Sequence, residues 1–424
     1  MEKWSCKECT EKNQLLYQYK GEVGVPPLAM MDDLVCILKA KTNMKKLQFG
    51  STKCHKMHVG DRTRYCPKLT VDNWEVKVVD DLFTGDKVLT DEYNGEHIME
   101  ASETEKYLGD LISRDGKNGK NIHARKAKGT GIVDQIISIL DGTVFGPFHF
   151  EVALILRSSL LLNGILTNSE AWYGLKTSDL EQLEEIDEQL LRKILEVGAG
   201  CPKEMLYLET GTIPIRSLVA FKRVMFLHYI LNQDKDSLIY RILEAQVRNP
   251  SKNDWSETVK QDLEELGIEN TFTQIKSLQQ DKFRSVVRKA IEEKTYRFLT
   301  NLKLKDSKVK HIEHKSLVLQ EYLQPRNVQS IQLSKFLFQS RTRMLECRVN
   351  FRNRYKNEDL LCPLKCGSLD DQKHILECSE IDVNAIIDQE IPEYEDLFGN
   401  DVKKQTKVAF ILQNRYRKRK KMTS

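Results

Sequence analysis

Two groups of side chains in this sequence have the types and spacing for metal chemistry. Cys362, Cys366, His374 and Cys378 combine three thiols with one imidazole over a short stretch. Three sulfur ligands and one nitrogen ligand fit a closed tetrahedral zinc site. Pro363, Leu364 and Lys365 separate the first two thiols, one residue more than the common gap of two. His374 and Cys378 stand four apart and so share one face of a helical turn. Reduced thiols without a metal are the plain alternative.

The second group is Asp32-Asp33, set between the apolar runs Leu28-Ala29-Met30-Met31 and Leu34-Val35-Cys36-Ile37-Leu38. That pattern predicts strand, tight turn, strand, with the acidic pair at the tip. Side chains alternate along a strand, so one carboxylate faces a site while its neighbour turns away. Carboxylate oxygens suit Mg²⁺, a hard cation, and Asp32 is the candidate ligand. A solvated turn explains the same residues without chemistry. Cys6-Lys7-Glu8-Cys9 also has a zinc-like spacing, but no second pair follows nearby.

The elements that would position these groups follow from periodicity. Tyr17 to Val23 alternates like a strand, and Pro26-Pro27 precedes the acidic hairpin. Lys39 to Phe49 is helix-permissive, and a strand carrying Lys53 and Lys56 follows. Residues 61–100 are polar and turn-rich and read as a surface insertion. Glu105 to Ser113 contains Tyr107-Leu108-Gly109, where glycine permits close backbone approach. Near residue 117 the period changes from 2 to 3.6, which predicts helices through residue 345. Within them, Asn121 to Lys128 presents a basic face with Arg125, Lys126 and Lys128, and Phe150 to Leu166 reads as buried on most sides. Ser178-Asp179-Leu180-Glu181 reads as a capping box opening an amphipathic helix that Gly198 ends.

The 424 residues suggest about two to four domains. With 66 basic and 62 acidic residues the net charge is +4, too small to imply nucleic acid, so local patches must decide. The N-terminus is too polar for a signal peptide. Val152 to Leu166 is short for a bilayer span, and Arg157 interrupts it. No membrane partner is expected. Ten scattered cysteines suit a reducing, intracellular compartment, with nucleus and cytoplasm both open.

In this order, the acidic hairpin, the lysine strand, Tyr107-Leu108-Gly109, the helices and the cysteine-histidine cluster resemble the reverse transcriptase of a non-LTR (LINE-type) retrotransposon. Asn168 to Gly174 resembles an element of that family's thumb. The resemblance implies an α+β fold: a small antiparallel palm remnant, then a mainly helical thumb and C-terminal region with a small zinc knuckle. The implied divisions are a distal palm at 1–116 with the 61–100 insertion, a thumb at 117–235, a helical connector at 236–350, a knuckle at 351–385, and an acidic then basic tail at 386–424. The implied chemistry is RNA-directed DNA synthesis by two Mg²⁺ ions. Asp32 would hold one metal, Asp33 would support the hairpin, and Lys53, with Lys56 as its rival, would protonate the leaving group. Tyr107, Leu108 and Gly109 would grip the primer. RNA, an RNA–DNA hybrid or target DNA would be the partner, and deoxynucleoside triphosphates the substrate of an active form.

The family's fingers and its first palm carboxylate are not found upstream of the hairpin, where residues 1–27 offer Glu2, Glu8, Glu11 and Glu22. The sequence is therefore expected to be an N-terminally truncated form that is inactive alone. A non-catalytic nucleic-acid-binding protein derived from a retroelement is the alternative, and a helical scaffold with a structural zinc is a third. The basic stretches, including Arg341 and Arg343, fit either phosphate contacts or solvated helix faces. Residues 379–401 hold eight acids, and residues 403–421 hold nine Lys or Arg and no acid. Lys418-Arg419-Lys420-Lys421 fits an import signal, a phosphate contact or a plain charged tail.

Overall fold

A computed structural model describes strands within residues 17–113 and, beyond them, residues 118–251, 254–269, 271–354, 360–381 and 393–423. Most of the described chain is helical. The chain divides into two compact units, one of Met1–Lys126, Leu166–Gln182 and Val219–Ser285, the other of Ala127–Ile165, Leu183–Leu218 and Val286–Ser424.

The strands are β1 (Tyr17–Tyr19), β2 (Val23–Val25), β3 (Leu28–Met31), β4 (Leu34–Ile37), β5 (His55–Lys56), β6 (Leu69–Val71), β7 (Trp74–Val78), β8 (Lys87–Asp91), β9 (Gly95–Ala101), β10 (Thr104–Tyr107) and β11 (Asp110–Ser113). Alternation predicts one small antiparallel sheet. Instead β1–β2, β3–β4 and β10–β11 are separate two-stranded pairs, and β5-β9-β8-β7-β6 form a five-stranded sheet. Its β5–β9 edge is parallel. The stretch read as a turn-rich insertion thus carries β6 to β9. β3 and β4 pair antiparallel with Met31 opposite Leu34. Asp32, Asp33 and Lys53 lie outside the described residues, as do Leu108, Gly109 and the side chain of Tyr107.

The helices begin with α1 (Gly119–Gly142). A continuous helical run over Gly146–Ile165 comprises a 3₁₀ turn, α2 (His149–Leu156), a π segment (Arg157–Leu162) and α3 (Asn163–Ile165). By length and composition this run is apolar enough to cross a membrane, longer than the apolar stretch alone suggests. The burial on most sides expected of Phe150 to Leu166 is not observed: Ile155 and Leu160 are exposed. Arg157 within it is buried and donates from Nε and its terminal nitrogen to the two oxygens of Asp187, each at 2.6 Å. Two desolvated charges need this bidentate geometry to offset the cost of leaving water.

Asp187 belongs to α4 (Thr177–Leu195), the amphipathic helix that the leucine spacing predicts. Leu183, Ile186, Leu190, Leu191, Ile194 and Leu195 are buried there. Each such side chain contributes about 1.5–3 kcal/mol on leaving water. Both ends of α4 differ from expectation. At the start it is Asp179, not Ser178, that closes the turn, accepting from the Lys176 backbone N–H at 2.9 Å. At the end Glu196, not Gly198, takes the left-handed conformation, with φ of 52°. Its carboxylate accepts from Lys335 at 2.7 Å.

Then come α5 (Lys203–Thr210), α6 (Ile215–Leu231), α7 (Leu238–Arg248), α8 (Trp255–Glu265), α9 (Phe272–Ser277), α10 (Gln280–Lys305), α11 (Ile331–Arg341), α12 (Gln372–Glu377) and α13 (Val402–Thr423). The basic stretch read as part of a charged tail is therefore a helix. Its inner side buries Val408, Ala409, Ile411 and Leu412.

Candidate metal centre

The cluster predicted from spacing does converge. One ligand atom from each of Cys362, Cys366, His374 and Cys378 lies within 4.8 Å of the others. The Cys362–Cys378 and Cys378–Cys366 sulfur separations are 4.0 and 3.9 Å. Cys366 Sγ is 3.1 Å from His374 Nε2. Sulfurs about 2.3 Å from a tetrahedral zinc would stand about 3.8 Å apart. The donor set and its dimensions therefore fit a metal ion such as zinc.

Local structure explains how so short a segment forms the cluster. Leu361 and Leu369 form an antiparallel bridge, and the Cys362 N–H donates to Ser368 O at 2.8 Å. Between them the chain reverses through Lys365 and Gly367, at φ of 63° and 88°. Lys365, left-handed, lies within the longer gap between the thiols, and Gly367 turns the chain just after Cys366. The Lys365 N–H donates to Cys362 O at 3.0 Å. Asp371 caps α12, accepting from the His374 N–H at 2.7 Å, which sets the turn carrying the imidazole. Cys378 follows at the other end of α12. Burial pushes the Cys362 thiol up to about 12. The Ser368 backbone N–H, aimed at sulfur, draws Cys366 down.

Residues that periodicity did not single out hold this loop. Arg415 of α13 is buried and donates to Ile375 O at 2.9 Å and Cys378 O at 2.5 Å. One turn on, Arg419 donates to Asp370 Oδ2 at 2.6 Å. The same oxygen accepts from the Arg348 N–H at 2.8 Å, and Arg348 also donates from its side chain to Leu361 O. Two of the nine basic residues of the C-terminal stretch are thus internal struts for the loop. Arg419, part of the four-residue basic run, is one of them.

The expected nucleic-acid contacts divide. Arg125 is not on a free basic face: it is 3% exposed and donates to Asp110 Oδ1 at 2.6 Å. Asp110 opens β11 and also accepts from Asn121 at 2.9 Å and Asn168 at 2.5 Å. This carboxylate, next in sequence to Gly109, ties β11 to α1. Arg341 is not exposed either; it is fully buried against Glu209. Arg343 is half-buried over the rings of Tyr394 and Phe398. Lys128 is exposed and Lys126 half-buried. The sequence does not show these pairings, because Arg125 and Asp110 stand 15 positions apart and Arg341 and Glu209 stand 132 apart.

No family model matches the chain, and neither a curated protein nor a solved structure is significantly similar to it.

Proposed function

We propose that this chain is a zinc-stabilised nucleic-acid-holding region akin to the distal palm, thumb and knuckle of non-LTR retrotransposon reverse transcriptases. The observation that carries the reading is the convergence of Cys362, Cys366, His374 and Cys378 at tetrahedral dimensions after a long helical region. The order of sequence landmarks supports it: acidic pair, lysine strand, Tyr107-Leu108-Gly109, helices, knuckle. In this reading zinc is structural. It ties Cys362 and Cys366 to α12, and α13 braces the loop through Arg415 and Arg419. All four positions of a tetrahedral zinc would be filled by protein, which leaves none for a reacting water.

The partner would be RNA or an RNA–DNA hybrid. Asp32 and Asp33 would bring Mg²⁺ chemistry to an active form. The test is binding of a labelled RNA oligonucleotide to the whole chain over a range of salt. Binding should weaken steeply as salt rises, because phosphate contacts release counterions. Absence of binding at low salt would overturn the reading. Primer extension on an RNA template, with Asp32→Ala as control, separates a polymerase from a non-catalytic binder.

A further inference from the structure

The nine basic residues of residues 403–421 are not equivalent once folded. Arg415 and Arg419 are buried beneath the metal loop. Lys404 pairs with Asp396 and Lys420 with Glu346. Of the other five, Lys418 lies off to one side, and the remaining four belong to a regular arrangement. Lys403, Lys407, Phe410, Asn414, Arg417 and Lys421 are spaced by four, three, four, three and four positions. At about 100° per residue these fall within about 40° of one line along the helix. Lys403, Lys407, Arg417 and Lys421 are exposed and form no ion pair among the described residues. Phe410, midway along the line, is 50% exposed. No acidic residue occurs anywhere in α13.

We infer that this outer face of α13 is a docking surface for single-stranded nucleic acid, in which the four cations follow the phosphates and Phe410 stacks on a base. The inference rests on the reading that the chain holds nucleic acid, and it assigns that role to one face. Charge complementarity selects the partner. The stripe spans about 27 Å with cations on both sides of the ring. A base has a π-face whatever its identity, so stacking on a central aromatic within a basic track suits a single strand without sequence preference. A duplex keeps its bases stacked internally and offers Phe410 nothing comparable. A lipid surface needs a broad apolar face as well as cations. On α13 the large exposed apolar side chains are Phe410 and, at the far end, Met422. The inner apolar face is already buried in the protein.

The inference makes charge and stacking separable. Four phosphate contacts to a single strand give a slope of log affinity against log salt of about −2.8. Replacing two cations should flatten the overall slope by about 1.4. Losing the ring should weaken binding roughly fivefold or more without changing the slope.

The experiment uses the whole zinc-loaded chain and a fluorescein-labelled 20-nucleotide oligouridylate, with binding read by anisotropy across a salt series. The variants are Lys407→Gln/Arg417→Gln, Phe410→Ala and Phe410→Trp, with Lys282→Gln/Arg284→Gln on the exposed side of α10 as charge control. The expected result is a flattened slope for the first, a salt-independent loss for the second, and binding retained by the third and by the control. An unchanged slope and affinity in the first two variants, while the parent chain binds, would overturn this inference and leave the general reading standing. No binding by the parent chain would overturn both. Equal loss in the charge control would also contradict it, since any exposed lysine pair would then serve. Vesicles of phosphatidylserine and phosphatidylcholine complete the comparison. Stripe-dependent vesicle binding with oligouridylate binding untouched would assign the face to lipid instead.

Discussion

Arg341 and Glu209, 132 positions apart in sequence, meet at 3.1 Å with both side chains almost wholly buried. Glu209 also accepts from Tyr322 OH at 2.6 Å and lies 3.0 Å from His314 Nε2. Lys303 faces the other imidazole nitrogen and donates to Ile312 O. Burial alone would raise the Glu209 carboxyl. The Arg341 charge, the His314 contact and the Tyr322 bond outweigh it and hold the group at about 2, below the ordinary 4.5. Arg341→Met should lower stability by about 3–5 kcal/mol, because it leaves a buried carboxylate uncompensated. Urea denaturation measures this.

The same carboxylate predicts a pH dependence with a definite sign. Its folded value lies below its unfolded value, so its contribution is complete above pH 4.5 and is lost as pH falls towards about 2. Urea midpoints of the parent chain should decline through that window. The Glu209→Gln/Arg341→Met double variant should show a shallower decline. Parallel declines would show that other carboxylates govern acid unfolding.

Gly211, which ends α5, has φ of 66°, and a Cβ there would lie 2.2 Å from the Val318 carbonyl carbon. Backbone cannot step aside as a flexible side chain can. Gly211→Ala should therefore cost about 2 kcal/mol or more. It should also disturb the Thr210–Leu319 bridge beside it. Thermal unfolding checks the first effect, and hydrogen exchange at residues 318–320 checks the second.

Arg125→Ala should act on stability rather than on nucleic-acid binding. It removes the charged partner of Asp110, whose side chain keeps 19% exposure. The expected cost is about 1–3 kcal/mol, below that of a fully buried pair. The salt slope for oligouridylate should not change. A flatter slope with unaltered melting temperature would return Arg125 to the surface contacts.

How much of this was legible in the sequence depended on distance along the chain. Local patterns are readable: the leucines of α4 fall within one helix, and the four ligands of the metal cluster fall within one short stretch of chain. Long-range compensation is not. Asp187 and Arg157 sit 30 positions apart, and Arg341 finds Glu209 132 positions away. In a linear sequence each of these looks like a solvated charge. Helix ends depart from expectation for a related reason. Ser178 has the right type for a cap, but Asp179 has the reach to close the turn. Gly198 has the freedom for a left-handed stop, yet Glu196 takes that conformation with Lys335 held to its carboxylate. The basic C-terminal stretch gave no sign that two of its arginines face inward, because their acceptors, Cys378 O and Asp370, belong to a loop folded elsewhere.

Cys362, Cys366, His374 and Cys378 are expected to form one structural zinc site that organises the segment around α12. Native mass spectrometry of the purified chain, with Cys366→Ser alongside, reads the metal content. Metal binding should supply local folding energy, because so short a segment has little core of its own. One zinc ion per parent chain and none on Cys366→Ser is the predicted result. A metal-free parent chain, or equal zinc on both proteins, would contradict it.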